Sequence, residues 1–206
     1  MMRKETSILT LFSLLLVLIS TSPSRAGVPT DQVRSTVDKA LIVLKDPRLK
    51  SEARTQERRD KLRQILYARF DFAEMAKRSL GSHWRRRTPQ EQEEFVQLFT
   101  SLLERAYIDR IESFNEETFQ YPRELMDGSY AEVESRIHTR KGEEFTILYK
   151  THLLKGEWKV YDVVIENISL VNNYRSQFNR VVTNSSYEEL IRRLKEKQEE
   201  FTVKKK

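Results

Sequence analysis

Apolar residues recur every three to four positions up to Asn115 and every second position beyond it, so the pattern predicts helices first and strands later. Val33, Val37, Leu41 and Leu44 form one stripe, opened by Pro29 and Thr30 and closed by Asp46-Pro47, which predicts an amphipathic helix over 28–45. A second helix is expected from near Ser51. It is mostly charged through Arg59 and then presents Leu62, Ile65 and Leu66. Asp71 can cap a third, shorter helix carrying Phe72, Met75, Ala76 and Leu80, and Gly81 can end it, because glycine enters the left-handed region without steric cost. Thr88-Pro89-Gln90-Glu91 combines a capping hydroxyl, proline at the first helical position and the glutamate of a capping box. The long helix it starts bears one broad stripe of Phe95, Leu98, Phe99, Leu102, Leu103, Ala106, Tyr107 and Ile111.

Strands are expected over 118–122, 130–139, 144–154 and 157–166, and the short breaks Asp127-Gly128-Ser129, Lys141-Gly142 and Lys155-Gly156 make them hairpins of an antiparallel sheet. In the third, Phe145, Ile147, Tyr149, Thr151 and Leu153 share a face. Simple alternation in the fourth puts Tyr161, Val163 and Ile165 on one face and Trp158, Val160 and Val164 on the other, which implies cover on both sides. Leu170, Tyr174, Phe178 and Val181 return to helical spacing, and Ser186-Tyr187-Glu188-Glu189 caps a last helix. The expected fold is α+β: helices packed on a curved, antiparallel, four-stranded sheet, in one domain over 27–194, with a charged and frayed tail over 195–206.

Residues 1–26 stand apart. Arg3 and Lys4 precede the apolar run Ile8 to Ile19, shorter than the roughly 20 residues a spanning helix needs, and Ser24-Arg25-Ala26 has the small residues of a cleavage site. This reads as a signal peptide cleaved after Ala26, with no membrane span left afterwards; the alternative, an uncleaved N-terminal anchor, is disfavoured by the short apolar run and by Pro23 and the polar stretch after it. Export changes what charge means. A net +6 and a pI near 9.4 would suggest nucleic acid in a cytosolic chain, but in an exported one they fit an anionic membrane surface or a solvated basic face.

Composition narrows the chemistry. Zero cysteine excludes disulfides, thiol nucleophiles, Cys-ligated metals and lipidated cysteine, and 5 Gly leave little material for a phosphate-binding loop. His83, His138 and His152 have no partner at metal-ligand spacing, so no metal is expected. Asp162, within an apolar strand, is either a general base with a raised pKa or a structural carboxylate pairing with an arginine or capping a turn. Arg85, Arg86 and Arg87, after Trp84, can meet a phosphate or stay solvated. The aromatic stripe on the long helix reads first as ordinary core, but Phe95, Phe99 and Tyr107 on it and Tyr149, Tyr161, Tyr174 and Phe178 elsewhere are a large apolar payload for one small domain, and a cavity between helices and sheet is where such a fold would keep an apolar ligand.

Two blocks carry a family resemblance. The first runs from Phe70-Asp71-Phe72 through Met75-Ala76, Leu80-Gly81, Trp84-Arg85 and Thr88-Pro89 to Phe95, Phe99, Leu102-Leu103 and Tyr107. The second is Trp158-Lys159-Val160-Tyr161-Asp162-Val163, Ile165-Glu166, Ile168-Ser169-Leu170-Val171, Tyr174-Arg175 and Phe178. In this order they resemble the MlaC family, the toluene-tolerance auxiliary proteins, over essentially the whole mature chain. Asn167 departs, since the family usually has glycine there, and leaves the local loop conformation open.

The resemblance implies a soluble periplasmic protein that shuttles phospholipids between outer and inner membranes and does no chemistry on them. It implies an NTF2-like domain enclosing the acyl chains, and exchange with an inner-membrane MCE-domain ABC transporter and with an outer-membrane lipoprotein. No cofactor and no nucleic acid are expected. On that reading the pocket is supplied by Phe72, Met75, Leu80, Phe95, Phe99, Leu102, Tyr107, Ile147, Tyr149, Tyr161, Val163 and Tyr174, with Arg85, Arg86 and Arg87 near its mouth or on a docking surface. Two other classes stay open: an NTF2-like enzyme using Asp162 or His152 with a hydrogen-bonded partner, and an adaptor or chaperone binding protein through open apolar surface.

Overall fold

In a computed structural model that describes residues 28–114 and 116–203, six α-helices pack on one antiparallel sheet. The expected signal peptide lies outside the described residues. Helix α1 (Val28–Lys45) carries the predicted stripe. Two 3-10 turns, Pro47–Leu49 and Glu52–Arg54, lead into α2 (Thr55–Arg69). Asp71 caps α3 (Phe72–Leu80) by accepting from the Glu74 amide at 2.9 Å, and Gly81 at φ 60° ends it. A 3-10 segment, Gly81–Arg86, then delivers the chain to α4 (Pro89–Glu112). Its capping box is fully formed: the Thr88 amide donates to Glu91 Oε2 at 2.7 Å and the Glu91 amide to Thr88 Oγ1 at 3.2 Å.

The strands run β1 (Thr118–Asp127), β2 (Tyr130–His138), β3 (Glu144–Leu154), β4 (Glu157–Ile165) and β5 (Ile168–Ser169), paired in chain order. There are thus five strands where four are expected. The fifth arises because Glu166 (φ 46°) and Asn167 (φ 66°) make a two-residue turn that folds Ile168 back on Ile165. Asn167 sits in the left-handed region, which asparagine tolerates better than most residues, and this settles the loop left open above. Strand β1 also runs past Pro122, because it is an edge strand whose register shifts between Gln120 and Arg123 and leaves the missing amide unneeded.

Helix α5 (Leu170–Asn184) begins on the Ser169 cap, and α6 (Tyr187–Val203) packs on α4. Helix α6 continues through most of the expected tail, and Lys195 pairs with Glu94 at 2.6 Å, tying that stretch to α4.

Two apolar regions result. One is a helical core of Met75, Leu80, Phe95, Phe99, Val171, Phe178, Leu190 and their neighbours, built from α3 to α6. The other gathers α1, α2 and the far half of α4 over the sheet, around Val33, Val133, Tyr149, Val160 and Val163 and around Leu44, Leu62 and Ile108.

Candidate functional site

The second region is hollow. Between α1, the end of α2, the start of α3, the C-terminal half of α4 and the inner face of the sheet lies a cavity of about 230 Å³, or about 1480 Å³ of empty space with its open mouth counted. A single buried water needs roughly 10–15 Å³ on the smaller measure, so the space is far more than a packing defect.

Each wall follows from its sequence pattern. Val33, Val37, Leu41 and Leu44 of α1 form one side, Leu66, Phe70, Phe72 and Met75 the roof, and Leu103, Tyr107, Ile108 and Ile111 the α4 side. The sheet contributes Phe145, Ile147 and Tyr149 from β3 and Val160, Val163 and Ile165 from β4. Val160 and Val163 share this face despite their odd spacing because Tyr161 is an extra residue in β4: Thr151 opposes Val160 while Lys150 opposes Asp162. The bulge reverses the alternation along the strand. The two-faced apolar pattern expected of β4 is therefore largely one face interrupted by a bulge.

Most of the polar side chains in the wall are held by protein partners. Arg69 donates to Thr36 Oγ1 at 3.1 Å, to Gln32 Oε1 at 2.6 Å and to the Trp158 carbonyl, strapping α2 to α1 and β4. Burial holds its guanidinium below the ordinary arginine value, against the opposing pull of the Glu157 charge. Arg63 pairs with Glu104 and Asp60, and Tyr67 donates to Glu104 at 3.4 Å. Burial pushes the Tyr149 hydroxyl up to about 12. A void walled mainly by alkyl and aromatic groups, with most of its polar side chains held by protein partners and Arg110 exposed among the lining, offers water little and an apolar ligand much.

Of the twelve expected pocket residues, Phe72, Met75, Tyr107, Ile147, Tyr149 and Val163 line this cavity. Leu80, Phe95 and Phe99 are instead fully enclosed in the helical core, with Leu102 and Tyr174 packed against it. Phe99 meets Tyr174 and Phe178 edge-on at 5.4 and 5.8 Å between ring centres, so its face is already filled. The bulge turns Tyr161 away from the cavity, to the face where Arg78 lies 4.1 Å over its ring and His152 and Tyr130 meet it edge-on. Arg85, Arg86 and Arg87 do not line the cavity: the first two are exposed, and Arg87 stacks on Tyr187 at 4.4 Å and pairs with Glu91 at 3.2 Å. Unanticipated wall residues come mainly from α1 and α2. The stripe over 28–45 was the available signal, since an apolar helix face must cover something.

The groups held open for catalysis have structural partners. Asp162 is buried, accepts from Ser169 Oγ at 2.6 Å and from the Val171 amide at 3.1 Å, and so braces the cap of α5. His152 lies 3.0 Å from Asp71 Oδ2, beside the cap of α3 and outside the cavity. Among the described residues no three His, Asp or Glu side chains gather as metal ligands, and no helix is long and apolar enough to cross a membrane.

Fold and site together define an α+β domain built around an apolar cavity. The chain belongs to the MlaC family: the family model for "MlaC protein" matches residues 34–196. It is 26% identical over 169 residues to the toluene tolerance protein ttg2D of Pseudomonas putida, covering 80% of this chain and 79% of that one. It is 22% identical over 135 residues to the intermembrane phospholipid transport system binding protein MlaC of Haemophilus influenzae, covering 63% and 62% of the two chains. The phospholipid-binding protein of Ralstonia solanacearum, solved in complex with a phospholipid, superposes with a TM-score of 0.77 at 26% identity over 85% of this chain and 99% of that one.

Proposed function

We propose that this protein binds a phospholipid by its acyl chains in the cavity between α1, α2, α4 and the sheet, and carries it through the periplasm between outer and inner membranes. The observation that carries the reading is the cavity itself, whose wall is alkyl and aromatic apart from a few polar groups, most of them held by protein partners. Membership of the MlaC family and the likeness to a chain solved with a phospholipid support it. Burying two acyl chains of about 30 methylenes at roughly 0.8 kcal/mol each is worth about 24 kcal/mol against water, and nearly nothing against a bilayer. Such a carrier holds lipid in transit without a strong grip on the headgroup, and direction comes from its partners. Those partners, on this reading, are an inner-membrane MCE-domain ABC transporter and an outer-membrane lipoprotein, with exposed Arg85 and Arg86 on a docking face. The lipid is carried unchanged, and Asp162 is a structural carboxylate.

Native mass spectrometry of protein purified from a Gram-negative host tests this. One phospholipid bound per chain is expected, retained in Asp162→Asn and lost when the cavity is filled. Lipid-free protein that also takes none from vesicles would sink the proposal.

A further inference from the structure

The walls of the cavity are not closed by the same forces. The sheet side is sewn by the β1 to β4 ladders, broken only by the β1 register shift and the β4 bulge, and α1 packs closely on α2 and on β1 and β2. The end towards α3 is sealed where α3 and α4 pack into the helical core. Between α2 and α4 the closure is of another kind: long charged side chains span the two helices alongside Leu62 and Ile108, which are buried in one cluster with Leu44. Arg58 and Arg59 both reach Glu112, at 2.8 and 2.7 Å, Arg59 also reaches Asp109 at 2.6 Å, and Arg63 reaches Glu104.

This seam is graded. At one end Arg58, Arg59 and Glu112 are 11–19% exposed, and although burial alone would raise the Glu112 carboxyl, bonds from Arg59 and Arg58 hold it below the ordinary range. Separating those charges leaves them poorly solvated. At the other end Arg63 and Glu104 are 34% and 24% exposed, and both also line the cavity. Once parted, these two rehydrate more readily than the Glu112 cluster, and a half-buried pair of this kind contributes less to stability than a buried one.

We propose that the seam between α2 and α4 is the door through which acyl chains enter and leave, with the Arg63–Glu104 pair as its latch and the Arg58, Arg59 and Glu112 end as its hinge. The proposal rests on the carrier reading above. Opening here breaks no backbone hydrogen bond: it parts side-chain ion pairs, and Leu62 and Ile108, buried in one cluster with Leu44, are the apolar residues that must yield beside them.

The chain has no native cysteine, so Arg63→Cys with Glu104→Cys places two unique thiols on the latch. A bis-maleimide spacer with a reducible disulfide joins them, since a direct bridge needs Cα atoms within about 7 Å. Transfer of a fluorescent phosphatidylethanolamine between neutral phosphatidylcholine vesicles is then measured with the full chain. The joined protein is expected to transfer about tenfold more slowly than the parent and to recover on reduction, while Glu104→Gln alone transfers several-fold faster. A joined protein that transfers at the parent rate, or a Glu104→Gln chain no faster than the parent, overturns the door. If the double-cysteine chain fails to fold, the Glu104→Gln arm decides alone. An unmodified parent that neither copurifies with lipid nor takes it from vesicles overturns the carrier reading, and the door with it.

Discussion

Along α4, Phe95, Leu98 and Phe99 are enclosed by α3, α5 and α6, whereas Tyr107, Ile108 and Ile111, about two turns further on, face the hollow beneath α1 and α2. The same stripe, of the same kinds of residue, thus borders both a packed core and a cavity. What differs is the neighbour. On the first half, α5 and α6 bring Val171, Phe178, Leu190 and Ile191 close enough to fill the space with rings and branched chains. On the second half, α2 is held away from α4 by arginine and carboxylate arms, and the sheet floor lies below both. Long ion pairs act here as struts. They join the two helices over a seam whose buried apolar residues are Leu62 and Ile108, clustered with Leu44, and a wall spanned by ion pairs is one that can open.

Breaking the packed half should cost most. Phe99→Ala removes a fully buried ring with three aromatic neighbours, and urea unfolding should show a loss of about 3–5 kcal/mol. The matching change in the cavity, Phe145→Ala, removes a ring facing empty space and should cost well under half of that. Equal losses would mean that the cavity is packed in solution.

Asp162→Asn leaves the Ser169 hydroxyl and the Val171 amide with a poorer acceptor, so stability should fall by about 1–3 kcal/mol, with bound lipid unchanged. Loss of lipid at unchanged stability would return Asp162 to the binding or catalytic machinery.

Alkaline pH loads both regions. Burial pushes the hydroxyls of Tyr149 at the cavity and of Tyr174 and Tyr187 in the helical core up to about 12, against an ordinary value of 10.0. The native chain therefore holds these protons where the unfolded chain has lost them. The stabilisation they give is complete below pH 10, and it declines as pH rises from 10 through about 12. The urea midpoint should fall across that window. Tyr149→Phe should lessen the fall without altering the midpoint's order at pH 7, and an unchanged slope would clear Tyr149 of the effect.

Thr88→Ala opens the capping box at the packed end of α4 and should cost about 1 kcal/mol by thermal or urea unfolding. Ile147→Trp is expected to move stability only modestly, by under about 1.5 kcal/mol, because the added ring occupies space already present. Its effect should instead be read by native mass spectrometry, as loss of the bound phospholipid. A marked destabilisation with lipid retained would show that the ligand sits elsewhere.

The elements themselves were legible in the chain. Period 3.6 turning to period 2, the Asp71 and Thr88 caps and Gly81 are local signals, and they fixed helix and strand positions to within a few residues because each acts over a single turn. The α+β class and the family followed from the same residues. What sequence periodicity could not carry was which apolar faces meet and which stay apart. Six of the expected pocket residues proved to be core or outward-facing, since Phe95 and Phe99 have partners supplied by a helix some 80 positions away and since one bulge at Tyr161 reverses a strand's alternation. The short fifth strand depended on two residues adopting positive φ, which no hydrophobic pattern records. The hollow depended on struts between residues 41 to 54 positions apart in the chain. Sequence determined the faces, because amphipathicity is written residue by residue; only the tertiary structure decided the space between them, because a cavity is set by how far apart its walls are held.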